Sequence, residues 1–230
     1  MNGILTPAEF ALKAHLEFRR LVMRPEFPCL GAKAALNENA YNFAVFSEMG
    51  TREATECLSE KLSAFNDSPT INENEYSTFV AIFDGPLELT EREFETCLWL
   101  QLRQLHRLDD SEWDPHVSSD PDDPHFSFSF GGQAFYVVGM HSNSSRASRR
   151  FRWPTLVFNP HEQFERLRND GNWQRMQRSI REREVALQGN INPMLADFGE
   201  ESEARQYSGR AVSENWEAPF PQAEECPLRH

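Results

Sequence analysis

Apolar positions recur at helical spacing from Pro7 to Val22, where Phe10, Leu12, Leu16, Phe18 and Leu21 can share one broad face. Pro25 and Pro28 end that pattern. A short helix is predicted over 31–36 and a strand over 41–46. The stretch 51–65 turns Leu58, Leu62 and Phe65 to one side and reads as a helix. Residues 77–83, STFVAIF, are β-rich and stop at the turn pair Asp84-Gly85. Thr90-Glu-Arg-Glu93 is a capping box, and the helix it opens runs to about Arg107 with Phe94, Leu98, Leu102 and Leu105 inward.

An acidic, Pro-containing loop is expected over 109–123. It is followed by the clearest pattern in the chain: HFSFSF, Gly131-Gly132, QAFYVVGM. The first arm alternates Phe126, Phe128 and Phe130 with Ser, as a half-buried strand does, and the second is more uniformly apolar and so a candidate for a central position. Another short strand fits 155–158, and helices fit 160–167 and 173–187. After Gly189 regular structure is hard to assign. Residues 213–230 hold three Pro and read as an extended tail or wrap. Strands and helices mix without strict alternation. The expected fold is therefore α+β: one domain over 1–230, with an antiparallel or mixed sheet, a central hairpin at about 125–140, and a cover of helices.

The formal net charge of −13 argues against nucleic acid and anionic membranes as partners. No apolar run approaches the length of a bilayer span, and the first residues lack a signal-peptide pattern. Cys29, Cys57, Cys97 and Cys226 are widely spaced, and a cytoplasmic protein with reduced thiols is the simplest expectation. Eighteen Phe suggest a well-filled interior or an aromatic-lined pocket. Ten Arg and four acids fall between Arg146 and Arg183, a local excess of positive charge in an acidic chain. In the helices, pairs such as Glu162–Arg166 and Glu165–Arg168 explain them as a solvated face. The loop set Arg146, Arg149, Arg150 and Arg152 follows a strand end and is suited to an anionic ligand.

Three clusters carry candidate chemistry. Cys29, in Phe27-Pro-Cys-Leu-Gly, precedes a predicted helix start, where amides and the dipole lower a thiol pKa; a buried, inert Cys is the plainer alternative. Gly31 permits a close backbone approach. His141 ends the apolar strand and could be a metal ligand, a proton carrier or a hydrogen-bonded structural group. His161 reads as structural. The segment Gly189-Asn-Ile-Asn-Pro-Met-Leu-Ala-Asp-Phe-Gly-Glu, continuing to Arg210, is dense in amides, acids and Arg. There Glu200 and Glu203 could hold a cation and Arg205 and Arg210 carboxylates, unless these charges pair with one another, Glu203 with Arg210 in particular. Zinc-type spacings, P-loops and dinucleotide fingerprints are absent.

Taken together, FPCLGAKAAL, HFSFSFGGQAFYVVGMHSNSSRASRRF, LVFNPHEQFERLR and QGNINPMLADFGEESEARQYSGR resemble the YqcI/YcgG family, collinearly over about 27–216. Ser142 stands where relatives commonly have Pro after the His, and a Cys that relatives often carry just after Trp216 is missing, Cys226 lying further on. The resemblance implies a heme-dependent N-oxygenase that hydroxylates a guanidine nitrogen of L-arginine or a related guanidino amino acid, in secondary metabolism. It would use noncovalent heme b, O2 and an external electron donor of the ferredoxin or flavin reductase type. A non-catalytic heme-binding or sensor protein is the alternative, and a binding module without heme a third. On this view Cys29, with Gly31 beside it, is the axial ligand and His141 the competing one. Arg146, Arg149 and Arg150 would meet the heme propionates. Glu200, Glu203, Arg205, Tyr207 and Arg210 would contact the substrate.

Overall fold

A computed structural model describes residues 6–69, 71 and 74–220. Its centre is a five-stranded sheet in the order β1-β2-β5-β4-β3, formed by β1 (Tyr41–Phe46), β2 (Thr78–Phe83), β3 (Phe128–Phe130), β4 (Gln133–Met140) and β5 (Thr155–Pro160). β1 and β2 are parallel and joined through helix α3 (Arg52–Asn66); every other neighbouring pair is antiparallel. The sheet is thus mixed, as the patterning predicts. The hairpin lies at one edge, however, and β5 holds the middle. The apolar run of β4 comes from pairing on both sides and cover on both faces, which a strand one place from the edge also has. Gly131 and Gly132 turn this hairpin with φ of +63° and +73°, the left-handed geometry that two-residue turns demand.

Strand parity divides the core. Phe79, Ala81 and Phe83 of β2, Phe135 and Val137 of β4, and Leu156 and Phe158 of β5 face α3 and the helix α4 (Glu91–Leu108), which supplies Phe94, Leu98, Trp99, Leu102 and Leu105. The opposite face carries Val80 and Ile82 of β2, Met140 of β4 and Val157 of β5. It packs on α1 (Pro7–Val22), through Ala14, Phe18 and Val22, and on α2 (Leu30–Asn37). Burying a large apolar side chain contributes about 1.5–3 kcal/mol, so each layer stabilises the sheet substantially. Capping boxes start α1 at Thr6–Glu9 and α4 at Thr90–Glu93, fixing both helices against their faces.

The remaining helices are α5 (His161–Asn169), α6 (Trp173–Gln188) and the four-residue α7 (Ala204–Tyr207). Gly189 closes α6 in the left-handed conformation at φ +84°. Residues 213–220 lay Trp216 and Phe220 on Trp99. The rest of the expected tail, with Cys226, lies outside the described residues. Among the described residues no helix is long and apolar enough to cross a membrane.

Candidate functional site

A cavity of about 280 Å³ opens on the α1/α2 face of the sheet, near the lower end of the ~300–1,000 Å³ usual for ligand pockets. Its floor is Tyr136, Val138 and Met140 of β4 with Val157 and Asn159 of β5. Phe164 of α5 and Trp173, Met176 and Ile180 of α6 form one wall, and the start of α2 forms another. The segment from Asn192 to Gln206 closes it. The start of α2, strand β4 and the run of chain from β5 to Gln206 meet here.

Cys29 is the N-cap of α2, and its Sγ accepts the Ala32 amide at 3.4 Å. The helix-start geometry is as the sequence indicates, but its effect on the thiol is outweighed. Burial pushes the Cys29 pKa up, against the opposing pull of the Ala32 and Gly31 amides and of Arg149. At neutral pH the thiol therefore keeps its proton. Gly31 lines the cavity next to Tyr76; a Cβ there would lie 3.2 Å from the Tyr76 ring, so the glycine lets that ring close over the helix start.

His141 does not share this cavity. Its parity is that of Phe135, Val137 and Gly139, so it lies on the α4 face, stacked on Phe94 with ring centroids 4.4 Å apart. It is buried, and burial lowers its pKa. Neither ring nitrogen makes a hydrogen bond of ordinary geometry, although the nearby Leu89 backbone counters part of the pKa shift. The sheet stands between His141 and any group bound against Cys29.

The four loop arginines have different fates. Arg146 lines the cavity but is consumed: it donates to Glu184 Oε2 at 2.8 Å and to Asn190 Oδ1 at 2.6 Å. Arg149 lines the cavity, where it donates to the carbonyls of Tyr207 at 2.9 Å and Gly139 at 3.4 Å; no carboxylate pairs with it among the described residues. Arg150 faces away and ties down its own loop through the carbonyls of Ser144 and Ser145. Arg152 lies over the ring of Trp153.

Of the acidic and basic cluster near 200–210, Glu203 alone reaches the cavity. It is buried, and Ser127 Oγ donates to its Oε2 at 2.8 Å. Its Oε1 lies 3.8 Å from His161 Nε2, an atom without a hydrogen-bond partner. Burial raises the Glu203 pKa to about 8 and lowers that of His161 to about 4. Near pH 7 both are mostly neutral, so the contact is not an ion pair. Arg210 is not the partner of Glu203; it pairs with Glu95 of α4 at 2.5 Å. Glu200 is exposed and accepts the Asp197 amide. Arg205 holds the 213–216 segment through the carbonyls of Ser213 and Trp216. Tyr207 is buried on the α4 face, where its Oη accepts the Phe128 amide at 2.9 Å. Sequence reasoning missed Tyr136, whose burial lifts its pKa to about 12, and Gln206, which accepts its hydroxyl at 2.9 Å. The signal was there: Tyr136 is the one polar side chain on the Tyr136-Val138-Met140 stripe.

The profile of the YqcI/YcgG family matches residues 18–221. The chain is 26% identical over 190 residues to the uncharacterized protein YcgG of Bacillus subtilis (strain 168), a match covering 79% of this chain and 75% of that protein. It is 27% identical over 193 residues to the uncharacterized protein YqcI of the same strain, with the same shares covered. No solved structure matches.

Proposed function

The chain belongs to the YqcI/YcgG family, and from that premise we propose that it is a heme-dependent N-oxygenase. It would hold heme b noncovalently in the cavity, with Cys29 toward the iron. With O2 and external electrons it would hydroxylate a guanidine nitrogen of L-arginine or a related guanidino amino acid. The observation that carries this reading is that Cys29 and Glu203 line the same largely apolar cavity.

The donor set fits the group. Cys29 offers sulfur, and the Ala32 and Gly31 amides with Arg149 are placed to stabilise its anion once a metal displaces the proton. Among the described residues Arg149 pairs with no carboxylate, and it presents a forked donor to a propionate or to an amino-acid carboxylate. Val138, Met140 and Val157 supply an apolar floor. Bound there, heme supplies the oxygen activation that side chains cannot, and a thiolate ligand favours O–O cleavage. The chain's own residues bind and orient. A guanidinium brought to Glu203 recovers, by charge pairing, the desolvation that holds this carboxyl protonated. The α6 wall and the 192–206 segment shield the reacting nitrogen from water.

Expression with added heme precursor and a pyridine hemochrome assay tests the cofactor. Cys29→Ala should remove or reshape the Soret band, and arginine should shift the spin state of the ferric protein. Glu203→Gln should weaken apparent arginine affinity at least ~20-fold at unchanged heme content. Protein that stays colourless sinks the reading. A coloured protein that binds arginine without oxidising it, given O2 and a reductant, is a heme-binding sensor instead.

A further inference from the structure

Helix α1 carries apolar side chains on the face it turns away from the sheet. Its inner face is accounted for: Ala14 is buried in the core, and Phe18 and Val22 line the cavity. On the outer face, Leu12 and Leu16 are 62% and 45% exposed, and Met23 at the C-cap is 40% exposed. Single exposed apolar residues are ordinary, but these three are aligned. Glu9, Leu12, Leu16, Arg20 and Met23 follow one another at steps of three or four residues, the spacing of a seam that meets a second helix. The seam also has a direction. Glu9 stands in the first turn and Arg20 in the last, and both are exposed. Glu9 spends only Oε2 on Thr6. Arg19, the neighbour of Arg20, is already taken, donating to the Tyr41 hydroxyl at 2.7 Å and the Leu36 carbonyl at 3.4 Å.

We propose that the outer face of α1 is the contact surface of a homodimer, in which two copies of this chain pair through an antiparallel α1 seam. With the two-fold axis between Leu12 and Leu16, Leu12 meets Leu16 of the partner subunit, Leu16 meets Leu12 of the partner subunit, and each Glu9 stands beside an Arg20. A parallel pair would instead set Glu9 against Glu9 and Arg20 against Arg20, with the helix dipoles aligned. The stripe is thus self-complementary in the antiparallel sense alone, the relation a two-fold axis imposes. Magnitudes set the strength. The seam is about 21 Å long, too short to bury the ~800 Å² per partner of a standard interface. Two chains of net charge −13 also repel each other. The dimer is therefore weak and concentration-dependent, in the micromolar range. Because Phe18 and Val22 face the cavity from the same helix, pairing braces a cavity wall from outside. The seam itself lies outside the cavity, so dimerisation does not depend on what the cavity binds.

The test is sedimentation equilibrium of the full chain over a range of concentrations at physiological ionic strength. A species of twice 26.6 kDa should grow with concentration. Leu12→Glu with Leu16→Glu should raise the dimer dissociation constant at least ~100-fold. Both positions are exposed, so folding is not at stake, and far-UV circular dichroism checks it. Charge reversal reads the orientation. Glu9→Lys sets a cation against each Arg20, and Arg20→Glu sets an anion against each Glu9, so each variant alone should associate at least ~10-fold more weakly than the parent. Mixed in equal amounts, the two variants bring opposite charges together at both contacts, and a mixed dimer should form. A parent that stays monomeric at every concentration overturns the proposal and leaves the seam to a chain of another sequence. A dimer unmoved by the leucine pair overturns it too. A dimer that the leucine pair breaks, but whose charge variants do not associate on mixing, overturns the antiparallel pairing.

Discussion

Ser127 Oγ donates to Glu203 Oε2 at 2.8 Å, linking the strand side of the sheet to a carboxyl that lines the cavity. This single bond does not offset burial, so Glu203 ionises at about 8 in the folded protein, up from 4.5. Across that window the folded state keeps a proton that the unfolded chain has released. Stability therefore falls as pH rises from about 4.5 to about 8, and this contribution is flat above it. Glu203→Gln removes the slope. The variant should be more stable than the parent at pH 9, on the order of 5 kcal/mol, and nearly equal to it at pH 4.5. Urea denaturation at several pH values checks this, and parallel pH profiles for the two proteins would contradict it.

Arg146 and Glu184 form a buried ion pair at 2.8 Å that ties the 146–149 turn to the end of α6. Glu184 also accepts Ser148 Oγ at 3.1 Å and the Asn192 amide at 3.2 Å. Removing one partner leaves an uncompensated buried charge, so Glu184→Gln should cost about 3 kcal/mol in urea denaturation. Replacing both, as Arg146→Met with Glu184→Leu, should recover much of that loss. A cost near that of an exposed pair would show that water reaches the arginine.

Periodicity made the layers legible. The strand and helix patterns place α1, α3, α4 and β1 within a residue of where they lie, because their apolar faces are long and regular. The order of the strands was not legible, since an apolar run reports cover on both faces and not position in the sheet. Nor was α7: Ala204-Arg-Gln-Tyr207 is too short to carry a period, and its burial comes from the sheet it lands on. For the site, Cys29 and Arg149 were legible from local context. Glu203 was singled out by its charge, but its separation from Glu200, Arg205 and Arg210 depends on which backbone turns inward. No charge pattern encodes that.

Strand parity alone predicts the behaviour of His141. Two residues beyond Gly139, it keeps the α4 side of the sheet and stacks on Phe94. Its ring nitrogens are buried without ordinary hydrogen bonds, an arrangement that costs stability. His141→Phe should keep the aromatic stack, leave any heme spectrum and arginine response unchanged, and stabilise the fold slightly. A variant that folds but loses the heme spectrum would place imidazole within reach of the cofactor and reverse the assignment of Cys29.

Gly139 sets how closely α7 and α4 approach β4. A Cβ at this position would lie 2.7 Å from Phe94 Cε1, 2.8 Å from Leu98 Cδ1 and 2.8 Å from the Tyr207 carbonyl oxygen. The first two are side chains that could shift, but the third is backbone of α7, so the strain cannot be absorbed by rotamers alone. The Tyr207 carbonyl also accepts Arg149 at 2.9 Å, and Glu203 immediately precedes α7. Gly139→Ala should cost about 1–3 kcal/mol by overpacking. It should also move α7, loosening Arg149 and Glu203 together. Adding Leu98→Ala relieves one contact of the three and opens a void among buried side chains, so the double variant should be less stable than the single one. Thermal and urea denaturation of the three proteins, with crystal structures of the variants that fold, check both parts. Gly139→Ala with parental stability and α7 unmoved would mean that the sheet itself gives way, and that the cavity wall does not depend on this close approach.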